Sequence, residues 1–175
     1  MEIRALRDTD DRTTFRSGDV DLDRFLARYA GQNQFRHHLG VTYVAPNGER
    51  IIGYVTVAAS TLDAEYLSPS LRKKLPDYPL PVLRLARLAV DATSQGRGVG
   101  KALLRHTFRL AIEMSKQFGC VGMVVDAKPD AVPFYSRFGF VPIDAVEGRM
   151  ESRPEPQAMF LALTLIRAAI VPHET

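Results

Sequence analysis

The sequence predicts one domain of the α/β or α+β class that spans residues 1–175. Short β-branched runs alternate with amphipathic helical patterns, which is typical of a sheet flanked by helices. The 175 residues are 46% hydrophobic, enough for one core, and no linker rich in Pro, Gly or Ser divides them. A glycine-rich loop between a strand and a long helix is the third observation, and such loops bind phosphate.

The first predicted elements are a strand and a capped helix. Residues 2–6 form the strand, and Asp19 or Asp21 caps a helix that ends near residues 34–38. The apolar residues of this helix recur at helical spacing, at Leu22, Phe25, Leu26 and Tyr29. That spacing predicts one buried helical face.

A hairpin and an irregular excursion follow. Residues 41–45 and 51–59 are β-branched runs joined by Pro46-Asn47-Gly48, and the Asn-Gly pair favours a tight hairpin turn. Residues 61–81 carry four prolines, which predicts irregular structure with a short helix at 69–74.

The C-terminal half alternates strands and helices. The pattern predicts a strand at 82–90, a helix at 98–119, a strand at 121–126 and a helix at 130–138. Terminal strands follow, the last near residues 160–166. Patterning alone leaves α/β and α+β open.

The glycine loop can be tested against known phosphate motifs by counting. A Walker loop needs Gly at position 95 and Ser or Thr at 102, where this chain has Gln95 and Ala102. The dinucleotide fingerprint needs a third glycine three positions after Gly98, where the chain has Lys101. Both nucleotide motifs are excluded.

The spacing of Gln95, Gly98 and Gly100 resembles the pyrophosphate loop of the GNAT family of acyl-CoA N-acetyltransferases. Residues 131–140 are similar to the closing helix and strand of the same family and include Tyr135. The resemblance implies acetyl-CoA as co-substrate, without a metal. It also implies a mixed, mostly antiparallel sheet of six to seven strands flanked by about four helices.

By this resemblance, backbone N–H groups of the loop bind the pyrophosphate, and the preceding strand pairs with the pantetheine arm. Tyr135 is implied to donate a proton or a hydrogen bond to the leaving thiolate. From sequence alone, the preferred interpretation of Tyr135 is an aromatic core residue packed among neighbouring phenylalanines. The implied cofactor-binding residues are Leu88, Ala89, Val90, Gln95, Gly96, Arg97, Gly98, Val99, Gly100 and Lys101.

Other reactive side chains have weaker support. The histidines His37 and His38 and the carboxylate of Glu65 could border an acceptor site as general bases, but solvated surface is the preferred interpretation. His106 is interpreted as structural and Cys120 as a small core residue.

One position departs from the family pattern. Many family members carry Asn seven residues before the tyrosine, where this chain has Lys128. The departure puts in doubt any hydrogen bond that the Asn would supply to the cofactor.

Basic residues recur at i+4 spacing along the cofactor helix. A basic face beside a cofactor cleft suits a polyanion such as RNA, although a solvated helix face has the same pattern. The residues are Arg97, Lys101, Arg105 and Arg109.

A narrower resemblance favours RNA. Residues 15–18, 22–26 and 29–34, with residues 87–91, are similar to GNAT toxins of bacterial toxin–antitoxin modules. This implies acetylation of the α-amine of aminoacyl-tRNA, which blocks translation, and a ribbon-helix-helix antitoxin as partner. The sequence is compatible with a homodimer but does not determine the oligomeric state.

Two alternatives remain. One is a GNAT enzyme that acetylates a small-molecule amine or a protein amine, and the other is a non-catalytic acyl-CoA-binding module. The longest apolar run falls short of a membrane span and no hydrophobic signal core follows Met1, so we expect no membrane association. The lone Cys120 excludes an internal disulfide and suits the cytoplasm.

Overall fold

A seven-stranded sheet is the main element of the computed structural model, which describes residues 1–143 and 156–170. The strands are β1 (Arg4–Ala5), β2 (Val41–Asn47), β3 (Arg50–Leu62), β4 (Leu80–Val90), β5 (Gly122–Ala127), β6 (Val141–Pro142) and β7 (Gln157–Ala162). Their order across the sheet is β1-β2-β3-β4-β5-β7-β6. β1 with β2, β2 with β3, β5 with β7, and β6 with β7 pair antiparallel. The predicted strand number and mostly antiparallel arrangement are confirmed.

The predicted hairpin is also confirmed. β2 and β3 are joined through Gly48, whose φ of +61° is favourable only for glycine and a few other residues. Where the hairpin meets its turn, the register shifts between Ala45 and Pro46.

Six α-helical segments and three single 3₁₀ turns lie in the described part of the chain. None of these helices is long and apolar enough to cross a membrane. Of the two predicted N-caps, Asp19 and Asp21, it is Asp19 that caps α1, because its carboxylate accepts hydrogen bonds from the backbone N–H groups of Asp21 and Leu22. The 3₁₀ turns are Ala64–Tyr66, Ala92–Ser94 and Pro129–Ala131. The helices are α1 (Val20–Arg24), α2 (Ala30–Phe35), α3 (Pro69–Arg72), α4 (Val99–Gln117), α5 (Val132–Arg137) and α6 (Leu163–Ile170).

The first helix contains a feature that the sequence pattern does not predict. A π-helical turn, Phe25–Tyr29, separates α1 from α2. Because a π turn holds more residues than an α turn, the apolar face shifts along the sequence. Tyr29, predicted on the buried face, is 47% exposed, and Ala30 is buried instead.

The prediction of a last strand near residues 160–166 is wrong beyond Ala162. The strand β7 ends there, and the next eight residues form α6. Within α6, Ile166 is buried while Leu165 and Arg167 are exposed. A continuous apolar run is compatible with a strand and with a helix, so it does not show where one ends and the other begins. Here the chain changes from strand to helix after Ala162.

The chain divides into two compact units. The elements β3, β4 and α4 each contribute residues to both units. The first unit comprises Met1–Ala58 and Leu85–Thr107, and the second comprises Ala59–Arg84 and Phe108–Thr175. A single domain over residues 1–175 stays a prediction. One core cluster of the first unit contains Leu6, Phe15, Phe25, Leu26, Ala30, Val44, Ile51, Tyr54 and Ala89. One core cluster of the second contains Leu62, Ala64, Leu67, Leu80, Val82, Val124, Ile143, Ala158 and Phe160.

Candidate active site

The glycine loop of the first unit exposes its backbone between β4 and α4. Gly96 and Gly98 have φ values of +76° and +84°, and a Cβ atom at either position would meet no atom within 4 Å. This open space lies beside the N-terminus of a 19-residue helix, where unpaired N–H groups and the helix dipole favour an anion. A glycine loop with exposed backbone before a helix N-terminus is a typical binding position for a phosphate group.

Side chains of the loop divide into anchoring and exposed groups. Val99 is 2% exposed and anchors the start of α4 in the core, whereas the side chains of Arg97 and Lys101 are exposed. Gln95 is exposed as well, but its amide donates hydrogen bonds to the carbonyl oxygens of Ser17 at 2.9 Å and Val90 at 3.0 Å. The Gln95 side chain thus holds the loop in place.

Asp91 is a second anchor of the loop, and sequence analysis missed it. Its carboxylate accepts hydrogen bonds from the backbone N–H of Arg16 at 3.0 Å and from the backbone N–H and hydroxyl of Thr93 at 3.1 and 2.7 Å. Burial alone would raise the pKa of Asp91, but these hydrogen bonds and the nearby Arg50 outweigh it, so the pKa is lowered. The buried carboxylate ties the loop to the N-terminal segment.

Replacing Asp91 by asparagine is expected to lower the free energy of unfolding by about 1–3 kcal/mol at pH 7, because one amide N–H would face the Arg16 N–H. Urea denaturation measures this loss. Since the native pKa is lowered, the wild-type carboxylate contributes stability above about pH 4 that disappears as the pH falls further. The difference in unfolding free energy between wild type and Asp91→Asn should therefore become smaller below about pH 4. A difference that grows there would contradict the role of the Asp91 carboxylate in anchoring the loop.

The strand residues implied to pair with pantetheine lie at the end of β4. Ala89 is 5% exposed and belongs to the core of the first unit, while Leu88 and Val90 are half-buried. Residues 88–90 and the loop 95–101 therefore belong to one unit.

Tyr135 lies in the second unit, on α5, and is 5% exposed. Its ring packs edge-to-face against the rings of Phe134 and Phe140, with centroid distances of 5.1 Å and 5.4 Å. Burial raises the pKa of its hydroxyl above the usual value near 10. The hydroxyl consequently keeps its proton across the physiological range and can act as a hydrogen-bond donor.

The histidines and the cysteine considered from the sequence have different environments. His37 and His38 are exposed, and the His37 ring lies 3.2 Å from the Gln32 amide. His106 is half-buried, with its ring 4.5 Å from that of Tyr43. The thiol of Cys120 is buried and donates to the Gly122 carbonyl at 3.2 Å, and burial raises its pKa.

Six further side chains considered from the sequence carry charge. Glu65 is exposed and lines a cavity of about 270 Å³ with apolar residues of the excursion and of β6. Lys128 is exposed at the end of β5. The four basic residues predicted along the cofactor helix, Arg97, Lys101, Arg105 and Arg109, are all exposed. Over residues 1–143 and 156–170, no three His, Cys, Asp or Glu side chains are grouped to hold a metal ion.

Two arginines on β4 have partners that the sequence did not predict. Arg84 forms an ion pair with Asp126 at 3.1 Å in the second unit. Arg87 stacks on the ring of Phe25 in the first unit, with 3.8 Å between the guanidinium carbon and the ring centroid. No sequence signal could identify these partners, since they are distant along the chain.

Comparison with known proteins gives a consistent family. The model of the acetyltransferase (GNAT) domain matches residues 38–142. A tRNA-acetylating toxin of Mycobacterium tuberculosis is 33% identical over 138 residues, which cover 78% of this chain and 82% of the toxin.

Two solved structures share the fold over nearly their whole length. AtaT complexed with acetyl-methionyl-tRNAfMet superposes with a TM-score of 0.83 and 28% identity, covering 97% of this chain and 99% of AtaT. A tyrosine-to-phenylalanine mutant of KacT superposes with a TM-score of 0.82 and 28% identity, covering 97% and 98% of the two chains.

Proposed function

The chain belongs to the GNAT family of acetyltransferases, and from this premise we propose that it transfers the acetyl group of acetyl-CoA to the α-amine of aminoacyl-tRNA. The identity to a tRNA-acetylating toxin over about four-fifths of both chains carries the proposal. Acetylation of that amine would block translation, so the protein would act as a toxin in the cytoplasm with a ribbon-helix-helix antitoxin as partner.

The donor side of the reaction uses the glycine loop. Backbone N–H groups at Gly96, Gly98 and the start of α4 would hold the pyrophosphate of acetyl-CoA, and Arg97 and Lys101 would add positive charge. Residues 88–90 of β4 would pair with the pantetheine arm as an added strand. The support is the open space above the loop glycines and the exposed charge beside them.

The chemical step is an amine attack on a thioester. The amine nitrogen forms a bond to the acetyl carbon, the carbon–sulfur bond breaks, and the sulfur leaves with the bonding electron pair. Tyr135 would donate a hydrogen bond and then a proton to that sulfur. An α-amine has a pKa near 8 and is partly neutral at pH 7, so it can attack without a protein base. After the attack the nitrogen loses its extra proton to water, and water returns a proton to the Tyr135 phenolate.

A transfer assay tests the function. The protein is incubated with acetyl-CoA and charged tRNA, and the aminoacyl ends are analysed for N-acetylation; uncharged tRNA is the control. We expect acetyl groups only on the charged tRNA. Transfer to small or protein amines without transfer to any charged tRNA would establish the alternative GNAT activity, and acetyl-CoA binding without any transfer would indicate a binding module.

A further inference from the structure

Arg87 is a half-buried cation that the reaction described above leaves without a role. Its guanidinium carbon lies over the face of the Phe25 ring, 3.8 Å from the centroid, and Phe25 is 5% exposed and begins the π-helical turn. Such turns occur frequently at functional sites. Here the turn places an aromatic ring under an arginine on a strand whose end is implied in cofactor binding.

The charge of Arg87 is not neutralised within the described structure. None of the hydrogen bonds or ion pairs found between described residues includes its guanidinium. Burial lowers the pKa of Arg87, and the Tyr54 side chain opposes that shift. The Tyr54 hydroxyl itself donates to the Leu22 carbonyl at 2.7 Å. A partly desolvated cation of this kind is stabilised by an anion.

Stacking also fixes the direction of the available donors. A guanidinium that lies on a ring uses its face for the aromatic contact and keeps its five N–H donors in its own plane. This planar fork matches the oxygens of a phosphate or carboxylate, which a lysine ammonium does not. Phe25 therefore orients Arg87 for an anion that arrives at its edge.

The position of Arg87 along β4 indicates which anion. The glycine loop follows the C-terminal end of this strand, so a pantetheine arm paired with β4 would run from the loop toward the N-terminal side of the strand and place its acetyl end there. Arg87 precedes residues 88–90 and therefore lies toward the acetyl end, where the acceptor enters. The phosphates of the acceptor are then nearer to Arg87 than those of acetyl-CoA.

We propose that Arg87, oriented by its stacking on Phe25, binds a backbone phosphate in the single-stranded 3′ end of the acceptor RNA. The inference rests on the proposed function and deepens it. It makes Arg87 a specificity residue, which distinguishes an aminoacyl end on RNA from the same amine on a small molecule.

The test compares two acceptors in the variants Arg87→Met and Arg87→Lys. One acceptor is charged tRNA, and the other is the methyl ester of the same amino acid, which has no phosphate. For Arg87→Met we expect kcat/KM to fall at least about tenfold on charged tRNA and less than about twofold on the ester. The slope of log kcat/KM against log salt on tRNA should become shallower by about 0.7, the value for one single-strand phosphate contact. Arg87→Lys keeps the charge without the fork and should lie between wild type and Arg87→Met.

Arg7→Met is the matched control, since Arg7 is exposed and its loss removes the same charge. This variant should have kcat/KM values near those of wild type on both acceptors, and the same slope of log kcat/KM against log salt on tRNA. Calorimetric titration with acetyl-CoA distinguishes the source of the phosphate: a weakened affinity in Arg87→Met would assign Arg87 to the cofactor and overturn the proposal. An equal loss on both acceptors, or no loss on tRNA, would overturn it too.

The failure of this inference can be told apart from failure of the proposed function. If wild type acetylates charged tRNA and Arg87→Met does so equally well, only the role of Arg87 is wrong. If wild type acetylates the ester but no charged tRNA, both are wrong. Thermal melting of each variant verifies that it is folded. If Arg87→Met does not fold, the comparison of the two acceptors is made with Arg87→Lys alone.

Discussion

Replacement of Tyr135 by phenylalanine is expected to lower kcat by about 10²-fold or more and to leave the affinity for acetyl-CoA unchanged. The phenyl ring keeps the edge-to-face contacts with Phe134 and Phe140, so the fold is preserved. The variant removes only the hydroxyl, and with it the proton that the departing thiolate would receive. Single-turnover measurement of acetyl transfer, with calorimetric titration of acetyl-CoA, separates the two quantities.

Tyr43→Phe is the matched control for this change. Tyr43 is half-buried, its pKa is also raised by burial, and its ring contacts His106. The same loss of one hydroxyl there should leave kcat near wild type. Equal turnover in both variants and wild type would remove Tyr135 from the mechanism and leave it as a member of the aromatic cluster.

The pH profile of kcat/KM gives an independent check on Tyr135. The rate should rise with pH through the pKa of the acceptor amine, since only the neutral amine attacks. A tyrosine with a raised pKa stays protonated beyond pH 10, so no falling limb is expected below that pH. Loss of activity between about pH 8 and 9 in a folded enzyme would identify a more acidic group as the proton donor.

Turn chemistry and cap chemistry made much of the fold predictable. Asn47-Gly48 between two β-branched runs specified the hairpin, and Asp19 specified the start of the first helix, because both depend on neighbours within a few residues. The π-helical turn could not be predicted, since a widened turn has no distinctive residue pattern. The switch from β7 to α6 was missed because the apolar run from Phe160 is continuous across it.

Motif spacing predicts roles for the glycine loop and Tyr135, but the side chains that hold the loop could not be predicted. Gln95 stays a predicted cofactor residue, but the hydrogen bonds from its amide to the carbonyl oxygens of Ser17 and Val90 were not predicted. One hydrogen bond to the Asp91 carboxylate comes from the backbone N–H of Arg16, which is 75 residues away in the sequence. Such contacts depend on tertiary packing, and one sequence without its fold does not specify them.

Replacing Gly98 by alanine should raise the dissociation constant of acetyl-CoA at least about tenfold. At φ +84° an alanine is strained by about 1–2 kcal/mol, so the loop relaxes away from the conformation that presents its N–H groups. The added Cβ would also enter the open space where the pyrophosphate is proposed to lie. Calorimetric titration measures the affinity, and urea denaturation measures the loss of stability.

Gly48→Ala separates strain from binding, because the hairpin glycine has φ +61° and open space around its Cβ position, as Gly98 has. Both variants should lose about 1–2 kcal/mol of unfolding free energy, since the backbone conformation is similar. Only Gly98→Ala should lose affinity for acetyl-CoA. If the two variants bind acetyl-CoA equally well, the loop does not hold the pyrophosphate, and its glycines serve only to turn the chain from β4 into α4. A loss of affinity confined to Gly98→Ala would instead require that ligand and loop backbone meet at that position.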